Sequence, residues 1–277
     1  MHALQIVWDP ASDGINIVGN FTIHYYSLMW MAAFISGWLI MKKIYKSENQ
    51  SDEKLDSLFI YTVIGIMLGA RLGHVIFYQP ELIKDDFFSI FLPFKFKGGF
   101  AFTGFRGLAS HGAAIGMIIS MYFYNKKILN KSILWILDII VIPVALGAIC
   151  VRIGNFFNSE MIGKEAGESL PWSVIFKDYD NVARHPGQLY EAFGYVFVFL
   201  ILWFLYWKTK KSEQTGYLFG LFLVLLMTVR LFVENFKIAQ IDAREDWIFN
   251  LNTGQVLSIP FILIGLYFMF VYKPKSA

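Results

Sequence analysis

Seven mostly apolar runs, each close to the roughly 20 residues a membrane-crossing helix needs, alternate with polar connections along this chain. They extend from His24 to Met41, Leu55 to Tyr78, Leu108 to Tyr124, Ile133 to Val151, Gly187 to Trp207, Gly216 to Phe236 and Gly254 to Tyr272. This pattern predicts an all-α polytopic membrane protein, a single integral membrane domain over residues 1–277 with about seven transmembrane helices. Connections after the first, third, fifth and seventh runs are short or terminal and rich in lysine: Lys42, Lys43 and Lys46; Lys126, Lys127 and Lys131; Lys208, Lys210 and Lys211; Lys273 and Lys275. The positive-inside rule puts these in the cytoplasm, with the N-terminus outside and the C-terminus cytoplasmic. Lys84, Lys95, Lys97, Lys164, Lys177, Arg184 and Arg244 run against the rule on the outer side, where lipid head groups are within reach. The longest outer connection, Ile153 to Pro186, has length enough for a small extracytoplasmic cap, whereas Pro80 to Gly107 reads equally as a re-entrant helix, an amphipathic lid or a loop. Met1 to Asn20 carries Asp9 and Asp13 and no basic cluster before an apolar core, so no cleavable signal peptide is expected.

Composition narrows the class further. Only 16% of residues are charged and 56% are hydrophobic; a soluble domain averages about 25% charged. A net charge of +3 is too small to argue for a nucleic-acid partner. The single cysteine, Cys150, rules out an internal disulfide framework and a cysteine-based zinc site, and within an apolar helix it reads as a small buried residue. The five histidines show no metal-ligand spacing, and no phosphate-binding loop, nucleophile elbow or dinucleotide fingerprint is present.

The polar residues that interrupt the apolar runs fall on one side. Under the predicted topology Tyr26 opens the first helix from outside, Arg71 lies late in the second, and His111 stands near the outer start of the third. Arg152 and Asn155 end the fourth, His185 and Gln188 lead into the fifth, and Arg230 and Glu234 lie late in the sixth. An ionisable residue in a membrane helix is costly and marks a functional site by default. Arg71, Arg152 and Arg230 offer planar donor forks suited to an anionic lipid head group. Arg230 and Glu234, four apart on a helix, also read as a structural ion pair. His111 is the best candidate for proton transfer near neutral pH, though a hydrogen-bonding histidine at a helix start has the same appearance. Gly65, Gly69, Gly112 and Gly116, spaced by four in apolar helices, predict close helix contact.

Six of these segments, in order, resemble the prolipoprotein diacylglyceryl transferase family. His24-Tyr25-Tyr26-Ser27-Leu28-Met29-Trp30 is similar to its first-helix motif, with Tyr26 at the functional tyrosine. Gly69-Ala70-Arg71-Leu72-Gly73 matches its G-x-R-x-G pattern, with His74 where an aromatic is common. Gly107 to Gly116 resembles its His-Gly-Gly segment around His111, Ala113 replacing the second Gly. Arg152 to Gly163 matches the signature through Arg152, Asn155, Glu160 and Gly163, with Ser159 where Gly is common. His185-Pro186-Gly187-Gln188-Leu189-Tyr190-Glu191 and Arg230-Leu231-Phe232-Val233-Glu234 complete the set, Lys237 replacing a usual Arg and Leu226 standing where some members have Tyr.

The resemblance implies an enzyme of the bacterial cytoplasmic (inner) membrane, its site in the outer half, acting in the first step of lipoprotein maturation. Its donor would be phosphatidylglycerol, its acceptor the lipobox cysteine of a prolipoprotein signal peptide, and its products a thioether and glycerol-1-phosphate. His111 would take the thiol proton, and Arg152 and Arg230 would meet the growing phosphate charge. Tyr26, Arg71, Asn155, Glu160, Gly163 and Glu234 would bind or orient substrate, with His185 and Gln188 supporting them. No metal or organic cofactor is implied, and both substrates would enter sideways from the bilayer. Without the resemblance, a transporter of an anionic substrate or a seven-helix receptor remains compatible with the same polar residues.

Overall fold

A computed structural model describes residues 6–10, 14–18, 21–92, 94–96, 99–102, 107, 109–167, 170–238 and 250–273, and these are mostly helical. In chain order the helices are α1 (Tyr25–Ser47), α2 (Asp52–Tyr78), α3 (Leu82–Asp85), α4 (Phe88–Phe91), α5 (Ser110–Tyr124), α6 (Ile133–Phe157), α7 (Gly187–Lys208), α8 (Tyr217–Val233) and α9 (Thr253–Phe270). The strands are β1 (Ile6–Trp8), β2 (Gly14–Val18), β3 (Phe21–His24), β4 (Phe94–Lys95), β5 (Ala101–Phe102), β6 (Val174–Phe176) and β7 (Ala183–Arg184).

Six helices, α1, α2, α6, α7, α8 and α9, are long and apolar enough to cross a membrane, which makes the chain a polytopic membrane protein. The third apolar run becomes α5, whose 15 residues rise about 22 Å, short of a hydrocarbon core of about 30 Å. A π-helical turn, Asn125–Leu129, follows it and ends at Asn130 in the left-handed conformation. The all-α expectation also changes, because three small sheets are present. Their strands hold two to five residues and lie outside the long helices, too short for alternation to stand out in sequence.

The chain folds as two compact units, Met1–Met41 with Leu137–Ala277, and Lys42–Ile136. In the second unit, α2 starts after Ser51 with Asp52 and Glu53 in its first turn, where acidic side chains favour the helix dipole. It packs on α5 through glycines. A Cβ on Gly69 would lie 2.7 Å from the Gly116 Cα, and one on Gly73 2.6 Å from the Gly112 Cα. Backbones this close leave no room for any side chain. At the far end of the unit Tyr45 and Tyr124 are buried with hydroxyls 2.8 Å apart, and Tyr124 donates to the Lys54 carbonyl at 2.9 Å. Within the segment left open by the sequence, Pro80 to Gly107, the described residues form α3, α4 and the antiparallel pair β4–β5.

The first unit carries α6 to α9 and the sheet β1–β6–β7. Asp138, buried in α6, accepts from the Gly216 N–H at 2.5 Å and the Phe219 N–H at 2.8 Å, so a carboxylate 78 residues away caps the start of α8. Gly216 itself sits at φ +90, which glycine adopts without strain. Asn252 and Gln255 form a reciprocal capping box at the start of α9. β1 runs parallel to β6, and Ile162, Val174 and Phe176 form a small core with Trp8, Phe156 and Ile238. Phe156, in the last turn of α6, meets the Trp8 ring at a tilt with centroids 4.8 Å apart and the Phe176 ring edge-on at 5.5 Å, which fixes the end of that helix.

The glycine contact gives a direct test. Gly69→Ala should lower the thermal midpoint in detergent by the cost of overpacking, about 1–3 kcal/mol. Gly37→Ala, whose new Cβ would meet the Pro143 Cβ at an ordinary 3.6 Å, should leave it in place. Equal midpoints for both variants would contradict the close α2–α5 contact.

Candidate active site

The end of α6 sets the first half of the site. Its last turns place Arg152 and Asn155 one helical turn apart, and Arg152 Nη1 donates to Asn155 Oδ1 at 3.3 Å. Gly154 lies between them. A Cβ there would stand 2.8 Å from the Tyr26 ring, so the glycine seats Tyr26 of α1 against this turn. The chain then reverses. Ser159 adopts φ +52, a conformation natural to glycine, and this serine stands where glycine is common in the family it resembles. The reversal brings Glu160 back onto the helix end, where its carboxylate accepts from Asn155 Nδ2 at 2.9 Å and Asn158 Nδ2 at 3.2 Å. Gln188 Nε2 donates to the Glu160 carbonyl.

The second half comes from α7 and α8. Gln188, Glu191, Ala192 and Tyr195 recur at three- and four-residue spacing on the buried face of α7. Glu191 has no solvent exposure. One of its oxygens forms an ion pair with Arg152 Nε at 2.9 Å, and the other lies 3.4 Å from Lys237 Nζ. Lys237, 3% exposed, also donates to Glu234 Oε1 at 2.9 Å. That same oxygen is 3.6 Å from Arg230 Nε. Arg152 also reaches the Tyr195 hydroxyl. The side chains thus form an unbroken sequence of alternating charge: Arg152, Glu191, Lys237, Glu234, Arg230. Three cations face two carboxylates, which leaves one positive charge in surroundings where charges interact strongly. Breaking such a buried pair by removing one partner costs about 3–5 kcal/mol.

Glycines make the space. A Cβ at Gly254 would lie 2.7 Å from Glu234 Oε1, and one at Gly187 3.0 Å from Lys237 Cγ. Gly163 pairs with Lys237 as an isolated bridge, and a Cβ there would stand 2.8 Å from both the His185 Cβ and the Phe236 carbonyl. Its lack of a side chain lets three backbone segments converge beside the charges. Arg184 closes the outer edge, donating to the Gly163 carbonyl at 3.3 Å while held by Asp180, whose carboxyl it keeps below the usual range.

The structure brings together most of the residues singled out in sequence. Tyr26, Arg152, Asn155, Glu160, Gly163, His185, Gln188, Arg230 and Glu234 all belong to the first unit. Arg71 and His111 belong to the second. Arg71 is already engaged, donating from Nη2 to the Ser89 carbonyl at 2.9 Å, from Nε to Ile90 at 3.1 Å and from Nη1 to Gly107 at 3.5 Å. It ties the α4 turn and Gly107 to α2. His111 occupies the first turn of α5; its side chain lies outside the described residues. Glu191, Lys237 and Tyr195 were not assigned roles by sequence reasoning. The available signal was a glutamate on the apolar α7 run and a lysine three residues beyond Glu234. Among the described residues no three His, Cys, Asp or Glu side chains converge as metal ligands would.

His185 is held apart from the charges. Trp172 Nε1 donates to the Tyr190 hydroxyl at 2.9 Å, and that hydroxyl lies 3.0 Å from His185 Nδ1. A tyrosine that receives from Trp172 has its own proton to give to Nδ1, which requires a neutral imidazole. Burial agrees, pushing His185 below its ordinary 6.5. Because the unfolded chain binds this proton more readily, stability present above pH 6.5 is lost as pH falls toward the lowered value. The thermal midpoint should therefore drop on acidification below that point, and His185→Gln should flatten the drop. An unchanged slope in His185→Gln would remove His185 as its origin.

Comparison with known proteins adds identity to this geometry. The family model described as prolipoprotein diacylglyceryl transferase matches residues 14–271. A protein of Bacteroides fragilis named phosphatidylglycerol–prolipoprotein diacylglyceryl transferase is 40% identical over 276 residues, 99% of this chain and 98% of its own length. Proteins of the same name from Tolumonas auensis and Chloroherpeton thalassium are each 37% identical, covering 94% and 96% of this chain and 95% and 93% of their own.

Proposed function

We propose that this chain, which belongs to the prolipoprotein diacylglyceryl transferase family, transfers the diacylglyceryl group of phosphatidylglycerol to a prolipoprotein cysteine thiol. The observation that carries the reading is the alternating charge sequence from Arg152 to Arg230, which holds two guanidinium groups at the ends of apolar helices with one positive charge to spare. An anionic head group attached to acyl chains suits such a place, since the chains stay in the bilayer while the phosphate reaches the guanidiniums. The near full-length relatives carry both substrates in their names. The lysine-bearing connections then face the cytoplasm of a bacterial inner membrane and the charged site its outer half.

The chemistry follows from the two substrates. The lipobox thiol gives its proton to His111, directly or through water, because the thiolate is the nucleophile and a free thiol loses its proton only near pH 8.5. Sulfur attacks the glycerol carbon that bears the phosphate. A carbon–sulfur bond forms, the carbon–oxygen bond breaks, and the electron pair stays on the phosphate oxygen. Glycerol-1-phosphate leaves and the peptide keeps a thioether. Arg152 and Arg230 offset the charge that grows on the departing phosphate, an interaction worth about 3–4 kcal/mol per well-placed donor. Tyr26 and Asn155 orient the head group. Glu160 and Glu234 hold the polar side chains in place, Gly163 gives the backbone its close approach, and Gln188 and His185 steady the reversal and the cap. Arg71 enters as a brace for Ser89, Ile90 and Gly107. Both substrates reach the site laterally from the membrane.

The test is direct. Purified protein with phosphatidylglycerol vesicles and a lipobox peptide should add the mass of one diacylglyceryl group to the cysteine. Arg152→Ala, Arg230→Ala and His111→Ala should each lose on the order of a hundredfold or more in rate. Near-normal rates in all three would reject the assignment of roles, and an unmodified peptide with wild-type protein would reject the reaction.

A further inference from the structure

Lys237 is buried, and Arg230 is not. The lysine side chain is 4% exposed and the Arg230 side chain 35%. Both approach the same oxygen, Glu234 Oε1, but only the lysine forms a hydrogen bond with it, at 2.9 Å. Arg230 Nε stands off at 3.6 Å and has no hydrogen-bond acceptor among the described residues. The lysine also approaches Glu191 Oε1 at 3.4 Å, on the side of that carboxylate away from Arg152. One inaccessible cation therefore engages both carboxylates of the site. Glu160, the remaining nearby carboxylate, is exposed to solvent and held by amides, so it adds little to the buried balance.

We propose that Lys237 is a positioning residue that never touches the lipid and instead keeps Arg230 from being neutralised by Glu234. Resting on the transfer reaction above, this makes Lys237 the determinant of selectivity for a donor with one net negative charge over a zwitterionic lipid. With Lys237 in place the five charged groups carry one positive charge, which a phosphodiester monoanion cancels. Without it, Glu234 is left to pair with the nearest cation, Arg230, and the four remaining groups become neutral before any lipid arrives. Burying an anion beside a neutral cluster forfeits the attraction that offsets its desolvation. Gly187 fits this role, because a side chain there would press on the Lys237 stem, 3.0 Å from Cγ.

Substitution separates this from a packing role. Lys237→Met keeps the buried stem volume and removes the charge. The Michaelis constant for phosphatidylglycerol, measured as mole fraction in mixed micelles, should rise on the order of tenfold to a hundredfold, with turnover at saturation much less affected. Lys237→Arg should keep the wild-type constant, because the charge is retained. The decisive variant is the double substitution Lys237→Met with Glu234→Gln. It removes one charge of each sign, restores the spare positive charge and should recover most of the lost affinity even though two buried groups have changed. A role in packing alone predicts that the double variant is as poor as Lys237→Met or worse, and that outcome overturns the proposal. So does an unchanged constant in a folded Lys237→Met. Should Lys237→Met fail to fold, the charge-balanced double variant, compared with Glu234→Gln alone, decides: the double variant should then show the weaker phosphatidylglycerol dependence of lost excess charge, and equality of the two sinks the idea. Wild-type transfer in the same assay shows separately whether the reaction itself stands.

Discussion

Seating five charged side chains at the ends of apolar helices, with the two carboxylates and the lysine between them buried, is the constraint on which the rest of the site depends. Each would cost several kcal/mol to desolvate alone. The chain meets that cost by ordering them in alternating sign, so that Glu191 is shared by Arg152 and Lys237, and Glu234 by Lys237 and Arg230. The arrangement needs space next to each carboxylate and beside the lysine stem, which is where Gly254 and Gly187 lie. It also needs the ends of several helices held in fixed relation. Phe156 packed edge-on in the small sheet core fixes the end of α6, Asp138 caps α8, and the Asn252–Gln255 box sets α9, with Asn252 also donating to the Glu234 carbonyl at 3.2 Å.

The spare charge is not spread evenly. Glu191 and Lys237 are sealed from solvent, whereas the outermost cation, Arg230, retains access. Charge is thereby fixed inside and offered at the edge. That polarity suits a membrane enzyme with a lipid donor, because the accessible guanidinium can meet a phosphate while the charges behind it stay fixed. A purely structural ion pair between Arg230 and Glu234 would have closed to hydrogen-bond distance. The intervening lysine prevents that.

Long-range organisation was readable from residue pattern because it rests on properties of short windows. Apolar runs located the helices, and the glycine spacing at Gly65, Gly69, Gly112 and Gly116 anticipated the α2–α5 contact. Arginine, asparagine and glutamate at the ends of those runs marked most of the site. What stayed hidden depends on contacts between distant segments. β1 pairs with β6 across more than 160 residues, and three-residue strands leave no alternation to read. Glu191 looked like one member of a motif until the fold placed it between two cations. Lys237 looked like a substituted arginine, and only its position behind Arg230 gives it a separate part. Arg71 read as a head-group ligand, yet its donors meet the carbonyls of Ser89, Ile90 and Gly107, a set of distant backbone atoms that no local pattern announces. The third apolar run read as a full span, yet its helix α5 holds 15 residues before the chain widens into the π-helical turn Asn125–Leu129.

A phosphate held jointly by two guanidinium groups is tested most directly by a structure of this protein with phosphatidylglycerol bound. It should place the lipid phosphate within hydrogen-bond reach, about 3 Å, of both Arg152 and Arg230, with Lys237 still on Glu191 and Glu234 and out of contact with the lipid. A phosphate seated elsewhere, or Arg230 closed onto Glu234 in the occupied site, would contradict it.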